Sequence, residues 1–86
     1  MHDILTKAST LFDVTPAQII SHERLPRYCE ARCAVAYAVR ERGWSLQEIG
    51  RALDGRNHAT VLYNIRQAGR RAQTDAWFAA QLAALL

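Results

Sequence analysis

The sequence predicts an all-α fold, a small helical domain that contains a helix-turn-helix. Half of the 86 residues are hydrophobic and only four are glycine and two proline, a composition that favours packed helices over sheets or disorder. Hydrophobic residues recur at helical spacing along the chain. A short and a longer predicted helix flank a tight turn at Asp54-Gly55, which is the layout of a helix-turn-helix. The length allows one domain, residues 1–86, with a single modest core.

The first half of the chain predicts three helices, which cover residues 4–12, 16–20 and 26–42. The second begins with Thr15 as the cap and a proline in its first turn. The third is apolar on nearly every side and ends at Gly43, so we expect it to be the central element. Cys29 and Cys33 lie four residues apart within it, a spacing that suits two reduced thiols in the core better than a disulfide.

The second half predicts three more helices, at residues 46–53, 57–72 and 75–86. Ser45 and Glu48 form the capping-box pattern, in which each side chain satisfies a backbone N–H of the other. The last helix is expected to close the core against the first. The residues expected to face inward are Leu46, Ile49 and Leu53, then Val61, Leu62 and Ile65, then Trp77, Phe78, Leu82 and Leu85.

Positive charge is concentrated in the middle of the chain. The formal net charge is +3, but the segment from Arg24 to Arg71 holds ten arginines against four acidic residues, a net charge of +6. Arginine favours forked contacts to phosphates or base edges. A basic face that is merely solvated is the alternative interpretation.

The start of the fifth predicted helix is unusually polar. Asn57 alone would suffice as its cap, yet Arg56, His58 and Thr60 are also polar. In a helix-turn-helix the first turn of the second helix enters the major groove of DNA, so it must carry groups that read base edges. The pattern therefore predicts a DNA-reading turn formed by Arg56, Asn57, His58, Ala59 and Thr60.

Residues 45–65, SLQEIGRALDGRNHATVLYNI, resemble the C-terminal DNA-binding domain of the bacterial replication initiator DnaA, whose members typically show SL.EIG followed by GGRDHTTV. The likeness extends back through EARCAVAYAVRE and VTPAQII and covers roughly residues 4–72. It implies a Trp-repressor-like helical domain that binds double-stranded DNA, with Arg56 to Thr60 in the major groove. It also implies that Arg32, early in the long helix, reaches the adjacent minor groove.

The sequence departs from the family pattern at three positions of the motif. Asn57 replaces an aspartate, Ala59 a threonine and Asp54 a glycine. We expect duplex binding to be retained and the target sequence to differ, because Asn57 offers a hydrogen-bond donor where aspartate offers only acceptors. The other residues expected on the DNA-binding surface are Ser45, Gln47, Arg27 and Arg66.

Metal binding and catalysis are alternatives to DNA binding. The chain has four side chains of the kinds that bind zinc, which are His22, Cys29, Cys33 and His58. The two cysteines fit a core stripe, so no metal and no cofactor is expected. No nucleophile and base stand at a catalytic spacing, and Lys7, the only lysine, lacks the preceding glycine of a phosphate-binding loop. We therefore expect a DNA reader that is neither an enzyme nor an ATPase.

A protein adaptor is the second hypothesis, in which Trp77, Phe78 and the apolar C-terminal end bind a replication protein. The longest apolar stretch is too short to span a membrane and the first residues do not form a signal segment, so a cytoplasmic protein associated with the nucleoid is expected. Control of replication initiation and regulation of transcription both remain open, as does the oligomeric state.

Overall fold

A computed structural model describes all 86 residues and contains six helices and no strands. The helices are α1 (His2–Phe12), α2 (Pro16–Ile20), α3 (Pro26–Glu41), α4 (Leu46–Ala52), α5 (His58–Thr74) and α6 (Ala76–Leu85). Each predicted helix is present, with ends that differ by at most two residues from the expected ones. The all-α fold is therefore confirmed.

Side-chain caps define where the helices begin. Thr15 and Ser45 both form complete capping boxes, and in the second the Glu48 N–H donates to Ser45 Oγ at 3.1 Å while the Ser45 N–H donates to Glu48 Oε1 at 2.9 Å. These bonds from Ser45 lower the pKa of Glu48. Asp75 ends α5 and starts α6 without a loop, because its N–H donates to Arg71 O at 2.8 Å and its carboxylate accepts from the Phe78 N–H at 3.0 Å.

The core is one cluster of 18 buried hydrophobic residues to which all six helices or their caps contribute. Helix α3 is its centre and packs against each of the other five helices. Many of the buried residues are alanines, which let neighbouring helices approach closely. The largest fully buried side chains are Phe12, Phe78, Ile4, Ile19, Ile49, Leu53, Leu85, Val35, Val39 and Val61.

The buried face of α5 differs from the predicted one. Val61 is buried as expected, but Leu62 and Ile65 are only half-buried, and the fully inward positions are completed by Asn64 and Ala68. These three positions lie three and four residues apart, so they form a narrow stripe with Leu62 and Ile65 at its edges. Ile65 still packs against the core cluster, whereas Leu62 does not join it, so the expectation was wrong for Leu62.

Two further expectations need correction. Helix α6 closes the core against α1 as expected, with Phe12 and Phe78 ring centroids 6.0 Å apart, but Trp77 stays 43% exposed and packs edge-on against Phe12 at 5.6 Å. Cys29 and Cys33 are reduced but only half-buried. Burial and the neighbouring Cys29 raise the pKa of Cys33 to about 11. None of the six helices combines the length and the hydrophobicity that a bilayer crossing requires.

Candidate nucleic-acid interface

The turn between α4 and α5 has a tightly fixed backbone. Asp54 and Gly55 adopt left-handed φ angles of 60° and 74°, which reverse the chain within two residues. The Arg56 N–H then donates to the Gly50 carbonyl of α4 at 2.9 Å. A Cβ atom on Gly50 would lie 2.0 Å from the Arg56 carbonyl oxygen, so only glycine allows α4 to approach the start of α5 this closely. This contact sets the direction in which α5 leaves the turn.

The first turn of α5 presents four consecutive exposed residues, from Asn57 to Thr60. Asn57 is the N-cap, since its Oδ1 accepts the Thr60 N–H at 2.9 Å. The capping bond occupies one end of the amide and leaves its NH2 group exposed. Asn57 therefore offers hydrogen-bond donors to a partner, whereas an aspartate capping in the same way would offer an acceptor.

An open cleft of about 680 Å3 separates the start of α4 from the start of α5. It brings together five of the predicted site residues, which are Ser45, Gln47, Arg56, Asn57 and His58. Arg40 and Arg51 also line it, and neither was singled out from the sequence. Gln47 and Arg51 lie four residues apart, so their shared helix face could have identified Arg51. Arg40 lies in α3, and nothing in the local sequence links it to this cleft.

An exposed stripe continues from the first turn along α5. Its members are Ala59, Tyr63, Arg66 and Arg70, at spacings of four, three and four residues, so they share one side of the helix. Arg66 therefore shares one side of α5 with the exposed residues of its first turn, and its contact with DNA stays a prediction. Tyr63 was missed, although it is 58% exposed and lies one turn beyond Ala59.

Arg32 and Arg56 have inward contacts that the sequence did not predict. Arg32 is only 6% exposed, and its guanidinium donates to backbone carbonyls, with Nε 2.7 Å from Ile19 O. Arg56 is half-buried, and its Nη1 donates to Ile20 O at 2.7 Å and to Leu53 O at 2.6 Å. Burial lowers the pKa of Arg56, and the positive charge of Arg32 lowers it further. Contacts of these two side chains with DNA stay predictions, and in this conformation Arg32 does not extend into solvent.

Arg27 lies with a different group of side chains. Its guanidinium carbon is 4.4 Å from the centroid of the Trp77 ring, and its Nε is 4.0 Å from a Glu30 carboxylate oxygen. The same Glu30 carboxylate is 3.5 Å from Arg71, near the end of α5. Arg71 is 13 residues beyond His58, about 20 Å along the helix. The structure therefore groups Arg27 with the far end of α5 and not with its first turn.

The four side chains considered as zinc ligands have other neighbours. His22 Nε2 lies 3.0 Å from Asp54 Oδ2, and Cys33 Sγ lies 3.8 Å from Asn64 Oδ1. No three His, Cys, Asp or Glu side chains come together as a metal site.

A family model described as the bacterial DnaA protein helix-turn-helix matches residues 1–68. The chain belongs to this DnaA helix-turn-helix family. It is 31% identical over 83 residues to the chromosomal replication initiator protein DnaA of Wolbachia pipientis wMel, and 32% identical over 68 residues to that of Ruegeria sp. (strain TM1040). The DnaA protein of Ruegeria pomeroyi is 30% identical over 76 residues.

These matches cover 95%, 78% and 87% of this chain but only 18%, 14% and 16% of the respective DnaA proteins. The chain thus spans less than a fifth of its curated relatives, and the matched part is their C-terminal part. The predicted family and the helix-turn-helix fold are confirmed. The match of the DnaA family model ends within α5, so α6 lies beyond it while still supplying Phe78, Leu82 and Leu85 to the core.

Proposed function

We propose that this chain binds double-stranded DNA at a specific sequence by inserting the first turn of α5 into the major groove. The observation that carries the proposal is the exposure of Asn57, His58, Ala59 and Thr60 at the start of a helix whose later turns are anchored in the core. The helix cap uses only one oxygen of Asn57, and the exposed side chains of His58 and Thr60 form no hydrogen bond within the chain, so these polar groups are available to a partner. Major-groove recognition by a helix-turn-helix uses groups in this position.

The charge around the turn supports the same proposal. Arg40, Arg51 and the exposed Arg66 and Arg70 lie on the cleft or on the α5 stripe, where DNA phosphates would approach. The backbone N–H groups at the start of α5 and its helix dipole also favour a phosphate. Ser45 and Gln47, at the start of α4, are exposed on the opposite wall of the cleft and are proposed to contact the DNA backbone.

By family, the biological setting is the control of replication initiation, and a role in transcription regulation is compatible with the same DNA-binding surface. Because this chain corresponds to only a small part of the DnaA relatives, no other activity of those proteins enters the proposal.

The proposal is tested by selecting bound sequences from a random duplex library and then measuring affinity for the selected site at several salt concentrations. Each neutralised phosphate contributes about −0.9 to the slope of log affinity against log salt. Arg51→Ala should make the slope shallower by about 0.9. Lys7→Ala is the matched control, because it removes the same charge from α1, which packs on α2, α3 and α6.

We expect a defined consensus, a steep salt slope for the wild type, and no change for Lys7→Ala. Absence of duplex binding at low salt contradicts the proposal. Binding without any consensus contradicts its sequence-specific part. Equal effects of the two substitutions on the salt slope would show that the α4–α5 cleft is not part of the DNA interface.

The adaptor hypothesis receives little support from α6. Phe78, Leu82 and Leu85 are buried in the core, and Arg27 covers one face of Trp77. Trp77 and the terminal Leu86 are the large hydrophobic residues that this region exposes. Binding of a replication protein therefore stays a prediction without a surface that favours it.

A further inference from the structure

Two arginine side chains converge on the end of the short helix α2. Arg32, from α3, donates through Nε to Ile19 O at 2.7 Å and through Nη2 to Glu23 O at 3.1 Å and Gln18 O at 3.4 Å. Arg56, from the helix-turn-helix turn, donates to Ile20 O at 2.7 Å and to Ser21 O. Together the two arginines donate hydrogen bonds to five backbone carbonyls, all within residues 18–23.

These carbonyls need partners because they lie at a helix end. The last carbonyls of a helix have no N–H donor within it, and the helix dipole makes this end negative. Helix α2 has only five residues, and the carbonyls of Gln18, Ile19 and Ile20 lie in its last turn. Neither arginine forms an ion pair with a carboxylate. Burial lowers the pKa of Arg56, and repulsion by the positive charge of Arg32 lowers it further. Several charge-assisted bonds to carbonyls compensate this repulsion.

The bonds connect parts of the chain that sequence separates widely. Arg32 ties α3 to the end of α2, and Arg56 ties the same end to the turn before α5, with a third bond to Leu53 O at 2.6 Å within that turn. His22 and Asp54 add an exposed contact of 3.0 Å between the same two segments. Arg56 immediately precedes Asn57, the N-cap of α5. A shift of the Arg56 backbone would therefore redirect the exposed residues from Asn57 to Thr60.

We propose that Arg32 and Arg56 are positioning residues for DNA recognition, which fasten the end of α2 to the helix-turn-helix turn and do not contact DNA themselves. The inference rests on the proposed function, because it explains how the first turn of α5 is held for the major groove. It assigns to Arg32 a role different from the minor-groove contact that the family resemblance implies. The forked shape of arginine is essential, since lysine keeps the charge but concentrates its donors on one nitrogen.

The first test compares Arg32→Lys and Arg56→Lys with Arg42→Lys, whose exposed parent side chain lies at the end of α3, outside the cleft and the α5 stripe. Without DNA, the amides of Ser21 and Arg56, which donate to Ala17 O and Gly50 O at 2.9 Å, should exchange with solvent roughly tenfold faster in the first two variants. With DNA, the folded Arg32→Lys and Arg56→Lys proteins should lose roughly tenfold of their discrimination between the selected site and single-base variants. Their salt slopes should match the wild type, because no phosphate contact is removed. Arg42→Lys should change none of these.

The second test uses the wild-type protein and so does not depend on the folding of a variant. The guanidinium N–H resonances of Arg32 and Arg56 are followed by NMR as the selected duplex is added. We expect them to be slow to exchange and to keep their positions, while the Arg51 resonance shifts.

Several results would overturn the positioning role. A shift of the Arg32 resonance on DNA, or a shallower salt slope with lost preference for an adjacent A·T stretch in Arg32→Lys, would make Arg32 a DNA contact. Unchanged exchange and discrimination in both lysine variants would also refute it. Failure of the wild type to bind duplex DNA is a different outcome, which refutes the proposed function and removes the basis of this inference with it.

Discussion

Gly50→Ala is expected to destabilise the helix-turn-helix strongly. The added Cβ would lie 2.0 Å from the Arg56 carbonyl oxygen, and this backbone atom would have to move by about 1 Å to reach a tolerable distance. The movement also strains the bond from the Arg56 N–H to Gly50 O. Overpacking of about 1–3 kcal/mol and a weakened hydrogen bond of about 0.5–1.5 kcal/mol together give a loss of roughly 2–4 kcal/mol. For a domain of this size the melting temperature should fall by roughly 8–30 °C.

Gly69→Ala is the matched control. Gly69 also lies inside a helix, but its added Cβ would have Tyr37 Cε2 as nearest neighbour at 3.9 Å, an ordinary contact. Helix propensity then dominates, and alanine should stabilise the protein by about 0.5–1 kcal/mol. Thermal and urea unfolding, followed by circular dichroism, measure both effects. If Gly50→Ala were as stabilising as Gly69→Ala, the close approach of α4 to the start of α5 would not exist as described.

Three further predictions concern single side chains. Asn57→Asp keeps the cap, so the free energy of unfolding should change by less than about 0.5 kcal/mol. Duplex selection should show a shift in base preference of about 1–3 kcal/mol toward cytosine at one base pair. Identical selected sites would mean that Asn57 only caps the helix. Hydrogen bonds from the Ser45 and Phe78 backbones hold the pKa values of Glu48 and Asp75 below their ordinary 4.5 and 3.8. The two carboxylates therefore stabilise the fold above these ordinary values, and this stabilisation is lost as the pH falls through the lower pKa values of the folded state. The melting temperature should therefore drop in acid, and less so in a variant carrying Glu48→Gln and Asp75→Asn; equal acid sensitivity would contradict the shifts. With a pKa of about 11, Cys33 should react with iodoacetamide at pH 8 roughly a hundredfold more slowly in the folded protein than in denaturant, and equal rates measured by mass spectrometry would show that burial does not protect it.

Local chemistry explains why the first residues of the helices were predictable. The caps Thr15, Ser45 and Asn57 act through side-chain bonds to N–H groups three residues away, so their partners are visible in the adjacent sequence. The exposed first turn of α5 followed from the same local pattern. Its role in DNA recognition remains a proposal.

The inward polar residues were not predictable in this way. Arg32 bonds to Ile19 O, 13 residues earlier, and Arg56 bonds to Ile20 O, 36 residues earlier. Periodicity indicates which helix face is apolar, but it does not reveal that a long polar side chain finds carbonyls of a distant segment. Asn64 shows the same limit, since an amide in the centre of the buried stripe of α5 is invisible to a hydrophobic pattern.

The buried alanines of α3 have a consequence for how this domain can evolve. Ala31, Ala34, Ala36 and Ala38 are at most 1% exposed in a helix that packs against all the others, so any larger side chain there would force helices apart. The exposed residues from Asn57 to Thr60 carry no such constraint, apart from the cap. Under the proposed function, mutation in four adjacent codons would change the preferred DNA sequence while the packing of the helices stays the same. Copies of the gene could thus diverge to separate binding sites without passing through an unfolded intermediate.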